Sequence, residues 1–124
     1  MTRILIVDDQ YDIRRLLQAT LGKHYALSAV EDGASALKAI EQDRPELVLL
    51  DVMMPGDIDG LQVLDAIKGN PSTRDIHVAI LSARGQVLDQ EAANNRGADA
   101  YFIKPFSPKL LKSWIDSKFM NRHE

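Results

Sequence analysis

The sequence predicts an α/β domain of three layers, a doubly wound parallel sheet of five strands with helices packed on both faces. Three observations predict it. Short apolar runs recur at residues 4–7, 47–50, 78–81 and 100–103, the pattern of strands buried on both faces. Segments of helical period separate them, and strict alternation of the two implies a parallel sheet joined by right-handed crossovers. Finally, 124 residues with 45% hydrophobic content make one domain with an ordinary core.

Taken in order, the first strand is the run Ile4, Leu5, Ile6, Val7. The helix after it places Ile13, Leu16, Leu17, Thr20 and Leu21 on one face and Asp12, Arg14, Arg15 and Gln18 on the other, an amphipathic arrangement. The second strand, 26–30, is less apolar and carries Ser28 in mid-run, as suits a strand nearer a sheet edge. Leu37 and Ile40 mark the second helix; Leu61, Leu64 and Ile67 mark the third. The fourth helix, 86–96, has a thin stripe (Val87, Leu88, Ala92) and the poor helix formers Asn94 and Asn95, so it is expected to be the least stable element. The last helix is well punctuated. Ser107 suits the N-cap and Pro108 the first turn, with Leu110, Leu111, Trp114 and Ile115 as its apolar stripe.

Composition excludes several function classes. With no cysteine, disulfide scaffolds, thiolate metal sites and thiol catalysis are out. No apolar run approaches the roughly 18 residues that span a bilayer, and no signal region precedes the first strand, so no membrane insertion and a cytoplasmic location are expected. A net charge of −3 without a basic run argues against direct nucleic-acid binding. His24, His77 and His123 lie far apart without metal spacing and are expected to be solvated, His77 at the start of a strand.

The chemistry collects at one edge. Asp8 and Asp9 follow the first strand, Asp51 the third, Ser82 the fourth and Lys104 the fifth, and the carboxyl edge of an open α/β sheet is where ligands bind. If the second strand lies outermost, the first and third are neighbours about 4.8 Å apart and the three carboxylates converge; with the second strand between them they do not. Converging carboxylates need a cation among them. Oxygen ligands alone suit a hard ion such as Mg²⁺, which keeps waters and accepts a phosphate oxygen. A lysine and a hydroxyl at adjacent strand ends would serve the remaining phosphate oxygens. The set reads as metal-assisted phosphoryl chemistry with an aspartate nucleophile.

The segments ILIVDD (4–9), LVLLDVMMP (47–55), AILSA (79–83) and GADAYFIKPF (97–106) resemble, in order and spacing, the receiver domain of bacterial two-component response regulators, over essentially the whole chain. That resemblance implies a flavodoxin-like (βα)5 fold of strand order 2-1-3-4-5, with residues 1–124 as one receiver of the stand-alone, chemotaxis-regulator type and no output domain. It implies that Asp51 takes a phosphoryl group from a phosphohistidine of a sensor histidine kinase or histidine phosphotransfer protein. Mg²⁺, or Mn²⁺ in its place, would be held by Asp8, Asp9, Asp51 and the backbone carbonyl of Met53. Ser82 and Lys104 would bind the phosphoryl oxygens, Tyr101 would turn inward on activation together with Ser82, and the peptide between Lys104 and Pro105 would be cis. The face made by helix 4, strand 5 and helix 5 would then control a downstream protein target, as a monomer or a weak phosphorylation-dependent dimer. Met53 and Arg84 occupy positions that tune phosphoryl lifetime in this family. One departure stands out: the stretch 56–60, Gly-Asp-Ile-Asp-Gly, is one residue longer than the family's usual loop.

Other readings attach to the same residues. Asp8 or Asp9 alone could cap the first helix, Lys104 could be a turn lysine, and Tyr101 could serve packing alone. A Mg²⁺-dependent phosphatase with an aspartyl nucleophile would need a second aspartate where Met53 stands. A flavin carrier would need a hydroxyl-rich phosphate loop where Asp8 and Asp9 stand, and a nucleotide switch lacks its Walker sequence. The chain is expected to be no enzyme beyond its own phosphoryl transfer and dephosphorylation, and either a whole regulator or a receiver excised from a longer one.

Overall fold

The computed structural model describes residues 1–83 and 90–120. Strands and helices alternate as β1 (Arg3–Val7), α1 (Tyr11–Leu21), β2 (Ala26–Val30), α2 (Gly33–Gln42), β3 (Leu47–Asp51), α3 (Gly60–Gly69), β4 (His77–Ala83), α4 (Gln90–Asn95), β5 (Ala100–Lys104) and α5 (Pro108–Phe119). The sheet is parallel throughout with order β2-β1-β3-β4-β5. The less apolar second strand is therefore outermost. β1 and β3 are neighbours in a register that pairs Val7 with Leu50, so both strands end at one level.

Alternation along the strands divides the core in two. Ile4, Ile6, Leu47, Leu49, Ala79 and Leu81 face α1 and α5, where they meet Leu17, Leu21, Leu111, Ile115 and Phe119. Leu5, Val7, Val48, Leu50, Val78 and Ile80 face α2, α3 and α4, meeting Ala36, Ile40, Val63, Leu64, Ile67 and Ala93. Local signals agree with this packing. Asp32, Asp59 and Ser107 cap α2, α3 and α5 with their side chains, and Asp59 forms a reciprocal capping box with Gln62.

Four expectations are corrected. Leu110 is 67% exposed, because the stripe of α5 runs through Leu111, Ile115 and Phe119, and a residue one position earlier lies about 100° around the helix. Leu16 on α1 is likewise exposed beside buried Leu17. β5 is only half-buried rather than covered on both faces, since it is the terminal strand. His77 is half-buried, not solvated, with its ring edge-on to Phe119 at 5.3 Å. The expected helix over 86–96 is seen as Gln90–Asn95; Arg84, Val87 and Leu88 lie outside the described residues.

Away from the carboxyl edge, α3 is tied to the segment that enters β5. Lys68 Nζ donates to the carbonyls of Ile76 (2.7 Å) and Arg74 (3.1 Å) and to Asp99 Oδ2 (3.3 Å), whose oxygen also accepts from Val78 N. Arg96 pairs with Asp65 at 2.8 Å on the surface.

Candidate functional site

At the carboxyl edge, Asp51 is the last residue of β3, Lys104 the last of β5 and Ser82 the next-to-last of β4. Asp8 follows β1 directly, its N–H donating to the Val30 carbonyl at 3.2 Å. The strands thus carry these side chains into the edge rather than releasing them to loops. Asp8 and Ser82 are fully buried and Asp51 is 4% exposed, whereas Asp9 is exposed. Asp8, Asp9 and Asp51 each offer an oxygen within 4.8 Å of the others.

Lys104 reaches back from β5 to this cluster. Its Nζ lies 2.7 Å from Asp8 Oδ2 and 3.6 Å from Asp51 Oδ1, and it donates to Gln10 Oε1 at 3.0 Å. Asp8 Oδ1 accepts from Gln10 N at 2.8 Å, while Arg14 donates to the Asp8 carbonyl at 2.9 Å. The helix-capping reading of the aspartate pair therefore fails: Gln10 holds the N-cap position of α1 and makes no side-chain cap bond. Neither Gln10 nor Arg14 stood out as functional in the sequence, because a polar residue near a helix start is ordinary in any protein.

The Asp51 carboxyl is pushed up to about 7, first by burial and then by the charge of Asp8; Lys104 opposes both, and the Met53 N–H at 3.4 Å helps it. Three carboxyl groups beside one ammonium crowd acidic oxygens into a desolvated place. That donor set, all carboxylate oxygen and partly exposed at Asp9, fits a hard divalent cation.

The longer loop has a defined seat. Its base is closed where Gly60 N donates to the Val52 carbonyl at 3.0 Å, so close that a Cβ on Gly60 would lie 2.0 Å from the Asp51 carbonyl oxygen. In its middle, Ile58 rests on Gly33 at the start of α2, where a Cβ would meet the Ile58 carbonyl oxygen at 2.4 Å. Met54 and Ile58 pack on the α2–α3 side of the core, Met53 is 63% exposed, and Gly56 turns the loop with φ of 100°. The loop is thus anchored at Met54, Ile58 and Gly60.

Ser82 Oγ donates to the Ala83 carbonyl at 3.3 Å. Tyr101 is half-buried against the α2, α3 and α4 side of the core, and the peptide between Lys104 and Pro105 is cis. All five positions expected at the edge are there, with Asp8, Asp51 and Lys104 in contact.

A five-stranded doubly wound fold with acidic residues and a lysine at its carboxyl edge is the arrangement of a signalling receiver domain. The model of the response regulator receiver domain matches residues 4–116, and the chain belongs to that family of two-component signalling proteins. It is 43% identical over 114 residues to the probable transcriptional regulator ycf27 of Galdieria sulphuraria, covering 91% of this chain and 43% of that protein. Among solved structures, a putative response regulator from Chloroflexus aurantiacus J-10-fl matches with a TM-score of 0.85 and 30% identity, over 94% of this chain and 95% of that one. The Mn²⁺-bound form of response regulator Rcp1 matches with a TM-score of 0.80 and 29% identity, over 94% and 91% of the two chains. The chain spans about half the length of the curated relatives it matches. No helix among the described residues is long and apolar enough to cross a membrane.

Proposed function

We propose that this chain is a phosphorylation-dependent switch in which Asp51 accepts a phosphoryl group from a phosphohistidine of a sensor histidine kinase or histidine phosphotransfer protein. The observation that carries the reading is Lys104 Nζ standing between Asp8 Oδ2 at 2.7 Å and Asp51 Oδ1 at 3.6 Å within a group of three carboxylates. An oxygen of Asp51 forms the new bond to phosphorus as the phosphorus–nitrogen bond breaks, and the electron pair leaves with the imidazole. Asp8, Asp9, Asp51 and the Met53 carbonyl would hold Mg²⁺ or Mn²⁺, which supplies charge neutralisation for the transferring group. Response regulator Rcp1, solved in a Mn²⁺-bound form, supports that choice of ion. Lys104 and Ser82 receive phosphoryl oxygens, and the response passes to the face of α4, β5 and α5 through Ser82 and Tyr101.

In this reading the chain turns over no substrate other than its own phosphoryl group, works in the cytoplasm, and signals to a protein target without touching nucleic acid. A second reading is supported by the share of its relatives that the chain covers: it is the receiver of a longer regulator, like the probable transcriptional regulator it resembles.

Intact mass after incubation with acetyl phosphate and Mg²⁺ tests the assignment. One phosphoryl adduct is expected, absent without Mg²⁺ and absent in Asp51→Asn. An adduct of equal yield in Asp51→Asn would remove Asp51 from its role.

A further inference from the structure

Resting on the receiver reading, we propose that Gln10 is a positioning residue for phosphoryl transfer: its side-chain oxygen fixes the Lys104 ammonium so that one N–H is left for the group carried by Asp51. An ammonium has three donors and no acceptor. Lys104 gives one to Asp8 Oδ2 at 2.7 Å and one to Gln10 Oε1 at 3.0 Å. At 3.6 Å, Asp51 Oδ1 is an ion-pair partner rather than a hydrogen-bond acceptor. The third donor is thus the one with no hydrogen bond among the described residues, and it belongs to the group nearest the phosphoryl acceptor.

The second anchor matters because a lysine stem is long and flexible. Held by Asp8 alone, the ammonium could swivel about one contact. Gln10 removes that freedom from both sides, since its backbone N–H holds Asp8 Oδ1 at 2.8 Å while its side chain holds Lys104. The amide is also the fitting chemistry. It supplies an acceptor to the ammonium, and the side chain makes no cap bond to α1 that would claim it.

The test uses the full chain as wild type, Gln10→Met and Gln10→Glu. Methionine keeps the length and removes the acceptor; glutamate keeps the acceptor. Mg²⁺ affinity and then beryllofluoride affinity at saturating Mg²⁺ are read from Trp114, whose ring lies 6.0 Å from that of Phe102 on β5, and uptake from acetyl phosphate is timed by intact mass. For Gln10→Met we expect beryllofluoride affinity and uptake rate to fall about tenfold with Mg²⁺ affinity held within about twofold, and for Gln10→Glu uptake within about threefold of wild type. Uptake by Gln10→Met at the wild-type rate, or equal losses of Mg²⁺ and beryllofluoride affinity, would overturn the positioning role while leaving the receiver reading intact. A wild-type chain that neither forms the adduct nor binds beryllofluoride overturns both.

Discussion

Gly60 stands against the carbonyl of Asp51 so closely that the smallest side chain, a single Cβ, would lie 2.0 Å from its oxygen. Because that oxygen is backbone at the end of a buried strand, nothing flexible is available to give way. The start of α3 and the end of β3 must separate if residue 60 gains a side chain. Gly60→Ala is therefore expected to cost about 2–4 kcal/mol in urea unfolding and to slow phosphoryl uptake in the fraction that folds. A loss under about 0.5 kcal/mol would mean that the contact yields easily.

Asp51 gives the metal-free protein a pH dependence of definite sign. Its carboxyl is raised from 3.8 to about 7 in the fold, by burial and then by Asp8. Between about pH 4 and 7 the native state therefore binds more protons there than the unfolded chain, so this group's contribution to stability falls as pH rises through that window. Asp51→Asn lacks the effect. Without Mg²⁺ the variant should gain on the wild type as pH rises, by on the order of 2–4 kcal/mol at pH 8, and saturating Mg²⁺ should narrow the gap by binding the wild-type native state. Parallel stability profiles for the two proteins would refute this.

Ile58 measures what the lengthened loop does. It packs half-buried on the α2–α3 side of the core and covers Gly33. Ile58→Ala should cost about 1–2 kcal/mol and lower Mg²⁺ affinity by about threefold, whereas Asp57→Ala in the same loop should change stability by less than about 0.5 kcal/mol. Calorimetric titration with Mg²⁺ and thermal unfolding of both variants distinguish a seated loop from a loose one.

Tyr25 ties the turn after α1 to α5. Its ring is buried, its hydroxyl donates to Asp116 Oδ1 at 2.6 Å, and Lys112 holds the other oxygen at 2.7 Å. Burial, and then Asp116, push the phenol above its ordinary range. Tyr25→Phe keeps the packing and removes the bond, so denaturant unfolding should show a loss of about 1–2 kcal/mol, with phosphoryl uptake unchanged because the contact is remote from the carboxyl edge.

Two cations on the α3 side should differ in weight. Lys68 satisfies two carbonyls and the Asp99 carboxylate from a mostly buried position, whereas the Arg96 and Asp65 pair is 42% and 55% exposed. Urea unfolding of Lys68→Met should show a loss of about 2–3 kcal/mol and Arg96→Ala less than about 1 kcal/mol. Equal losses would contradict the difference in burial.

Much of this protein is determined by local sequence. Short apolar runs placed all five strands and period-3.6 patterns the stripes of α2 and α3, and side-chain caps at Asp32, Asp59 and Ser107 act within a few residues of their own helices. The candidate site was legible for a related reason: in a parallel sheet each strand end delivers its next residue to the same edge, so Asp8, Asp51, Ser82 and Lys104 could be grouped from their positions. What tertiary structure decided is whatever depends on neighbours distant in the chain. Periodicity could not choose between Leu110 and Phe119 as members of the α5 stripe, nor could it place β5 at a half-covered edge, because burial is settled by the elements that arrive from elsewhere. Strand order alone brought Asp8 beside Asp51. Gln10 and Lys104, ninety-four positions apart, meet only after the sheet has formed, and a hydrogen bond between flexible side chains leaves no periodic trace in the sequence.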